Sequence, residues 1–107
     1  MSDQAPIESN GVLVVDDNSF NRDGVTLYLK NHGYEVYEAG DEAEAFKLAQ
    51  AHRPRMAVID IVIPTHAGAK ANIDKSVGIH LVRRIKDLDP HAGIVVFSAH
   101  EDRGGEV

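Results

Sequence analysis

The 107-residue chain has no cysteine and no tryptophan. Without cysteine, disulfide cross-links and thiolate metal sites are excluded, which fits a reducing compartment. Cations are also scarce: 11 Lys and Arg stand against 17 Asp and Glu, for a formal net charge of −6. Tight binding to a nucleic-acid backbone needs clustered Lys and Arg that displace counterions, so direct nucleic-acid binding by this domain is not expected. No apolar run approaches the roughly 18 residues of a membrane span. The opening stretch, MSDQAPIESN, lacks the basic start and apolar core of a secretory signal, so a cytoplasmic address is the default expectation. The six histidines, at 32, 52, 66, 80, 91 and 100, never fall three or four apart. No two-histidine helical metal site is therefore spelled out, and these side chains are expected mainly at the surface.

What is present is the composition of an ordinary globular domain, 43% hydrophobic and 26% charged. The length suits one domain, with residues 1–10 as a flexible lead and 11–107 as the folded unit. GVLVV (11–15) is a short continuous apolar run, the mark of a strand buried on both faces. Residues 19–32, with Phe20, Leu27, Tyr28 and Leu29 among polar residues, read as a helix closed by Gly33. YEVYEA (34–39) reads as a second strand, and residues 41–52 as a second helix capped by Asp41. After Pro54, MAVID (56–60) is a third strand. Residues 65–76 show no periodicity and read as a loop. Ser76 is placed to cap a third helix with Ile79, Val82, Ile85 and Leu88 at helical spacing, and GIVVFSA (93–99) is a fourth strand. The order β-α-β-α-β-α-β implies a parallel sheet with helices on both faces.

In open parallel sheets, ligands bind beyond the carboxyl ends of the strands. Asp16 and Asp17 follow the first strand and Asp60 ends the third, so the fold can bring three carboxylates to one edge. Such a cluster costs repulsion and desolvation unless a cation neutralises it. Hard oxygen ligands suit Mg²⁺, commonly shared with a phosphate group. Ser98, at the end of the fourth strand, adds a hydroxyl that can donate to a phosphoryl oxygen. Phosphoryl transfer is then open to two routes, with Asp60 as nucleophile or with water attacking. Each piece has a plainer reading: Asp16-Asp17-Asn18 as a turn and helix cap, Asp60 as a strand terminator. Their joint placement favours the metal site.

On these residues the chain resembles the receiver domain of bacterial two-component response regulators. VLVVDDNSFNRDGVTLYLKNHGYEVYEAGDEAEAF is similar to the first half of that family, VIDIVIP to its phosphoacceptor strand, GIHLVRRIKDLDP to its third helix, and IVVFSA to the strand ending in a Ser/Thr-Ala pair. The resemblance implies a flavodoxin-like, doubly wound α/β fold like that of the chemotaxis receivers, its strands in the order 2-1-3-4-5. It also implies that Asp60 accepts a phosphoryl group from a sensor histidine kinase or phosphotransfer protein and that partner binding by a downstream effector then switches. Such a module is not a turnover enzyme. Asp17 and Asp60 would ligate Mg²⁺, with Asp16 holding the ion through water and the Val62 backbone carbonyl completing the protein ligands. Ser98 and the Ala99 amide would meet the phosphoryl group. Val62 and His100 occupy the positions that tune phosphoryl lifetime in the family, and the apolar Val62 implies slow self-dephosphorylation.

The chain departs from the family pattern twice. Residues 65–72 belong to an insertion of roughly ten residues between Pro64 and Gly78, either a solvated loop or a binding or lid segment; Lys70 and Lys75 are its cations. The family's fifth strand, its lysine and its last helices have no counterpart, so the expected sheet is 2-1-3-4, with an open apolar edge at the fourth strand available for dimer pairing. The chain is then a fragment of a longer regulator, or is completed by exchange or by a partner. Two other functions compete. One is a non-phosphorylated receiver-like interaction module. The other is a small haloacid-dehalogenase-like phosphatase using Asp16, which wants an acid where Asn18 stands and leaves Asp60 without a role.

Overall fold

The computed structural model describes residues 10–69 and 76–98. Four parallel strands, β1 (Gly11–Val15), β2 (Glu35–Ala39), β3 (Met56–Asp60) and β4 (Gly93–Phe97), form one sheet in the order β2-β1-β3-β4. Three helices, α1 (Ser19–Asn31), α2 (Glu42–His52) and α3 (Ser76–Leu88), join them. This is the flavodoxin-like order expected as far as the fourth strand. The crossover from β1 to β2 runs one way along the sheet, whereas those from β2 to β3 and from β3 to β4 run the other. Right-handed connections therefore put α1 on one face and α2 and α3 on the opposite one.

The central strand is buried along its whole length, as an apolar run without alternation requires. Leu13 and Val15 point to the same face as Ala57 and Ile59, and pack there with Ala45 and Ala49 of α2 and Val77, Leu81 and Ile85 of α3. Val12 and Val14 point the other way, toward the side of α1.

Local chemistry sets the element ends. The Asn18 side chain accepts the Asn21 N–H to open α1. Gly33, at φ 89°, closes it: the Gly33 N–H reaches the Lys30 carbonyl and the Tyr34 N–H the Leu29 carbonyl, the paired bonds of a left-handed helix end. Tyr34 is thereby committed to the helix terminus, so β2 begins at Glu35 rather than at 34. Asp41 caps α2 through the Glu44 N–H, as its position predicts. The fourth strand stops at Phe97, short of the expected 99, and Ala99 and His100 lie outside the described residues.

Two helical faces differ from expectation. In α3 the inward stripe is Val77, Gly78, Leu81 and Ile85, while Ile79 is exposed and Val82 and Leu88 are half-buried. Gly78 is the cause. A Cβ there would lie 2.2 Å from the Ile61 carbonyl oxygen, so the helix backbone sits directly on the segment after β3. In α1 it is Thr26 that is buried, and Phe20, Leu27 and Tyr28 face solvent. The five described histidines are exposed, as expected.

Candidate metal centre

The sheet order reverses between β1 and β3, because the chain leaves β1 to one side and returns for β3 on the other. A crevice opens at such a switch point, beyond the carboxyl ends of the two strands. Asp16 and Asp17 leave β1 there, and Asp60 is the last residue of β3. One oxygen from each of the three carboxylates lies within 4.8 Å of the others. Asp16 and Asp60 are fully buried and Asp17 is exposed. Three acids this close, two of them out of water, are unfavourable alone. An all-oxygen, trianionic donor set open on one side suits Mg²⁺, which retains several waters and takes only one or two carboxylates directly. The residues present therefore fit the expected ion.

The backbone holds the acids firmly. The Asp16 N–H donates to the Ala39 carbonyl at 3.0 Å, and Asp16 Oδ1 accepts the Asn18 N–H at 2.9 Å. The turn-and-cap reading and the metal reading thus describe the same residues. Asp60 Oδ1 likewise accepts the Val62 N–H at 3.0 Å, and Val62 is buried. The Ile61 N–H donates to the Phe97 carbonyl at 2.9 Å, bringing the end of β4 alongside. Ser98 follows directly, exposed at the same edge. Ala99, His100, Lys70 and Lys75 lie outside the described residues, as do residues 70–72 of the insertion.

Several residues around the centre escaped the sequence reading. Arg22 of α1 donates from Nη1 to the Asp16 carbonyl at 2.7 Å and from Nε to Glu38 Oε1 at 3.1 Å, tying the β1 turn to β2. Nothing in its spacing signals this, since the contact depends on how α1 lies over the sheet. Glu42, His80 and Arg84 form a second cluster between α2 and α3. His80 Nδ1 is 2.6 Å and Arg84 Nη1 3.3 Å from Glu42 Oε2.

The family model for the response regulator receiver domain matches residues 12–105. The virulence transcriptional regulatory protein PhoP of Shigella flexneri is 30% identical over 90 residues, which are 84% of this chain and 36% of that protein. The transcriptional regulatory protein PdtaR of Mycobacterium tuberculosis is 36% identical over 61 residues, 56% of this chain and 30% of the relative. The chain thus spans about a third of the length of these curated relatives. Among solved structures, a CheY-like receiver domain protein from Methanospirillum hungatei superposes with a TM-score of 0.72 at 21% identity, covering 90% of this chain and 69% of that one. A response regulator from Burkholderia pseudomallei, solved with a phosphorylated aspartic acid, a calcium ion and citrate, gives 0.69 at 29% identity, covering 87% and 49%.

Proposed function

The chain belongs to the response regulator receiver domain family, and from that membership we propose that it is a phosphoacceptor signalling domain in which Asp60 takes a phosphoryl group. The observation that carries this reading is the convergence of Asp16, Asp17 and Asp60 at the switch point between β1 and β3. An Asp60 carboxylate oxygen attacks the phosphorus of a phosphohistidine on a sensor kinase or phosphotransfer protein. The new O–P bond forms as the N–P bond breaks, and the electron pair returns to the imidazole nitrogen. Asp16, Asp17, Asp60 and the Val62 carbonyl would hold Mg²⁺, which neutralises the carboxylates and the incoming phosphoryl oxygens. The phosphorylated aspartic acid and calcium ion of the Burkholderia relative support the same chemistry here. Ser98, at the neighbouring strand end, donates its hydroxyl to a phosphoryl oxygen.

Val62 is buried and apolar and has no group to orient an attacking water. Self-dephosphorylation is accordingly slow, with His100 at the second tuning position, and the domain signals to a downstream effector rather than turning over substrate. The setting is cytoplasmic. The test is incubation of the chain with Mg²⁺ and a small phosphodonor such as acetyl phosphate, followed by intact-mass measurement. One added phosphoryl group, absent in Asp60→Asn and persisting for longer than seconds, is the expected result. No gain in a folded sample would favour an interaction module that works without phosphorylation.

A further inference from the structure

Helix α2 begins on the segment that follows the acceptor strand. The first amides of any helix have no partner within it, and here two of them are used: Glu42 N–H donates to the Pro64 carbonyl and Ala43 N–H to the Thr65 carbonyl, each at 3.0 Å. The Glu42 side chain, 9% exposed, turns the other way, toward α3. Its Oε2 meets His80 Nδ1 at 2.6 Å and Arg84 Nη1 at 3.3 Å, and the Arg84 guanidinium lies 3.7 Å from the Phe46 ring centroid of α2. One residue therefore grips the acceptor segment with its backbone and α3 with its carboxylate.

The path from Asp60 is short and continuous. Asp60 Oδ1 accepts the Val62 N–H, Pro64 follows two residues on, and Gly78 of α3 rests on Ile61. A change in charge on the Asp60 carboxylate acts first on the bond from the Val62 N–H, two residues before the Pro64 carbonyl that the Glu42 N–H holds. The Glu42 carboxylate is itself nearly buried and held by two donors, where loss of one partner is costly. We propose that Glu42 is a positioning residue that couples occupancy of the Asp60 site to the α2–α3 seam, making the face bearing His80, Arg84 and exposed Ile79 responsive to the site. This rests on the reading of Asp60 as the acceptor, and deepens it.

Coupling between two places is reciprocal: if filling the site moves the seam, loosening the seam must change affinity at the site. The experiment titrates the full 107-residue chain with Mg²⁺ and beryllofluoride, a phosphoryl mimic, and follows backbone amide resonances. In the wild type, shifts are expected at Asp17, Asp60 and Val62 and also at His80 and Arg84. In Glu42→Gln the first group persists, the second is lost, and affinity changes by at least about 5-fold. The His80→Ala/Arg84→Ala variant removes both donors to Glu42 and, once its own dispersed spectrum shows it folded, changes affinity by the same factor; adding Glu42→Gln to it changes affinity no further. A purely structural role would instead give additive effects. Should Glu42→Gln lose its dispersed spectrum, the double variant alone decides. Site shifts without seam shifts in the wild type, or unchanged affinity in the double variant, overturn the coupling and leave the acceptor reading intact. Absence of site shifts in the folded wild type overturns both.

Discussion

Gly78 has no room for a side chain, because a Cβ would meet Ile61 oxygen at 2.2 Å and Ile61 carbon atoms at 2.7 Å. Backbone cannot swing aside as a flexible side chain does, so Gly78→Ala must push α3 off the segment that follows β3. Overpacking of this kind costs about 1–3 kcal/mol, and urea denaturation is expected to show a loss of that size. Since Ile61 adjoins Asp60, Mg²⁺ affinity is expected to fall in the same variant. Asp17 tests the ion itself. It is the exposed member of three crowded carboxylates, and in the proposed site Asp17→Asn removes a ligand. Mg²⁺ at about 100 times its dissociation constant stabilises the native chain by about 2.7 kcal/mol, and thermal melts with and without the ion should lose that difference in Asp17→Asn.

At the scale of elements, the two well-formed helix caps test how much local chemistry contributes. Asn18 and Asp41 each accept an amide three residues on, at 3.1 and 2.8 Å. Replacing either by Ala is expected to cost about 1 kcal/mol by denaturant titration. The two differ in position. Asn18 also donates its own N–H to Asp16 Oδ1, a backbone bond that survives the substitution, so the carboxylate cluster should still bind Mg²⁺ in Asn18→Ala. Helix α1 shows the limit of reading an element from composition. Phe20 is 83% exposed and Leu27 62%, whereas a threonine, Thr26, is the buried member. The helix is recognisable from its caps and its closing glycine, but not the face it turns inward, since Arg22 is drawn under it to the Asp16 carbonyl.

At the scale of the molecule, β4 is an edge strand of the sheet among the described residues. Among the described residues β4 pairs only with β3, and Val95 and Val96 are 50% and 43% exposed. An apolar edge strand invites pairing with another chain. Sedimentation velocity on the 107-residue chain is expected to show self-association that grows with concentration. Val95→Lys, which puts a charge on that edge, should suppress it while leaving Asp60 chemistry unchanged. Equal association in both would place the contact elsewhere.

The sequence alone determined the alternation of strands and helices, and through it the parallel sheet. The continuous Val and Leu run of β1 fits a strand covered on both sides, and Asp16, Asp17 and Asp60 stand at strand ends whatever the details of packing. The capping side chains and Gly33 were equally legible, because each acts on amides or carbonyls within a few positions along the chain. Tertiary structure decided what depends on contacts between distant segments. The inward face of α3 was set by the approach of Gly78 to Ile61, which no spacing within the helix encodes. Arg22 at the Asp16 carbonyl and Glu42 between the segment after β3 and α3 join residues whose sequence separation carries no signal. Periodicity reports which positions share a side of one element; only packing decides what that side touches.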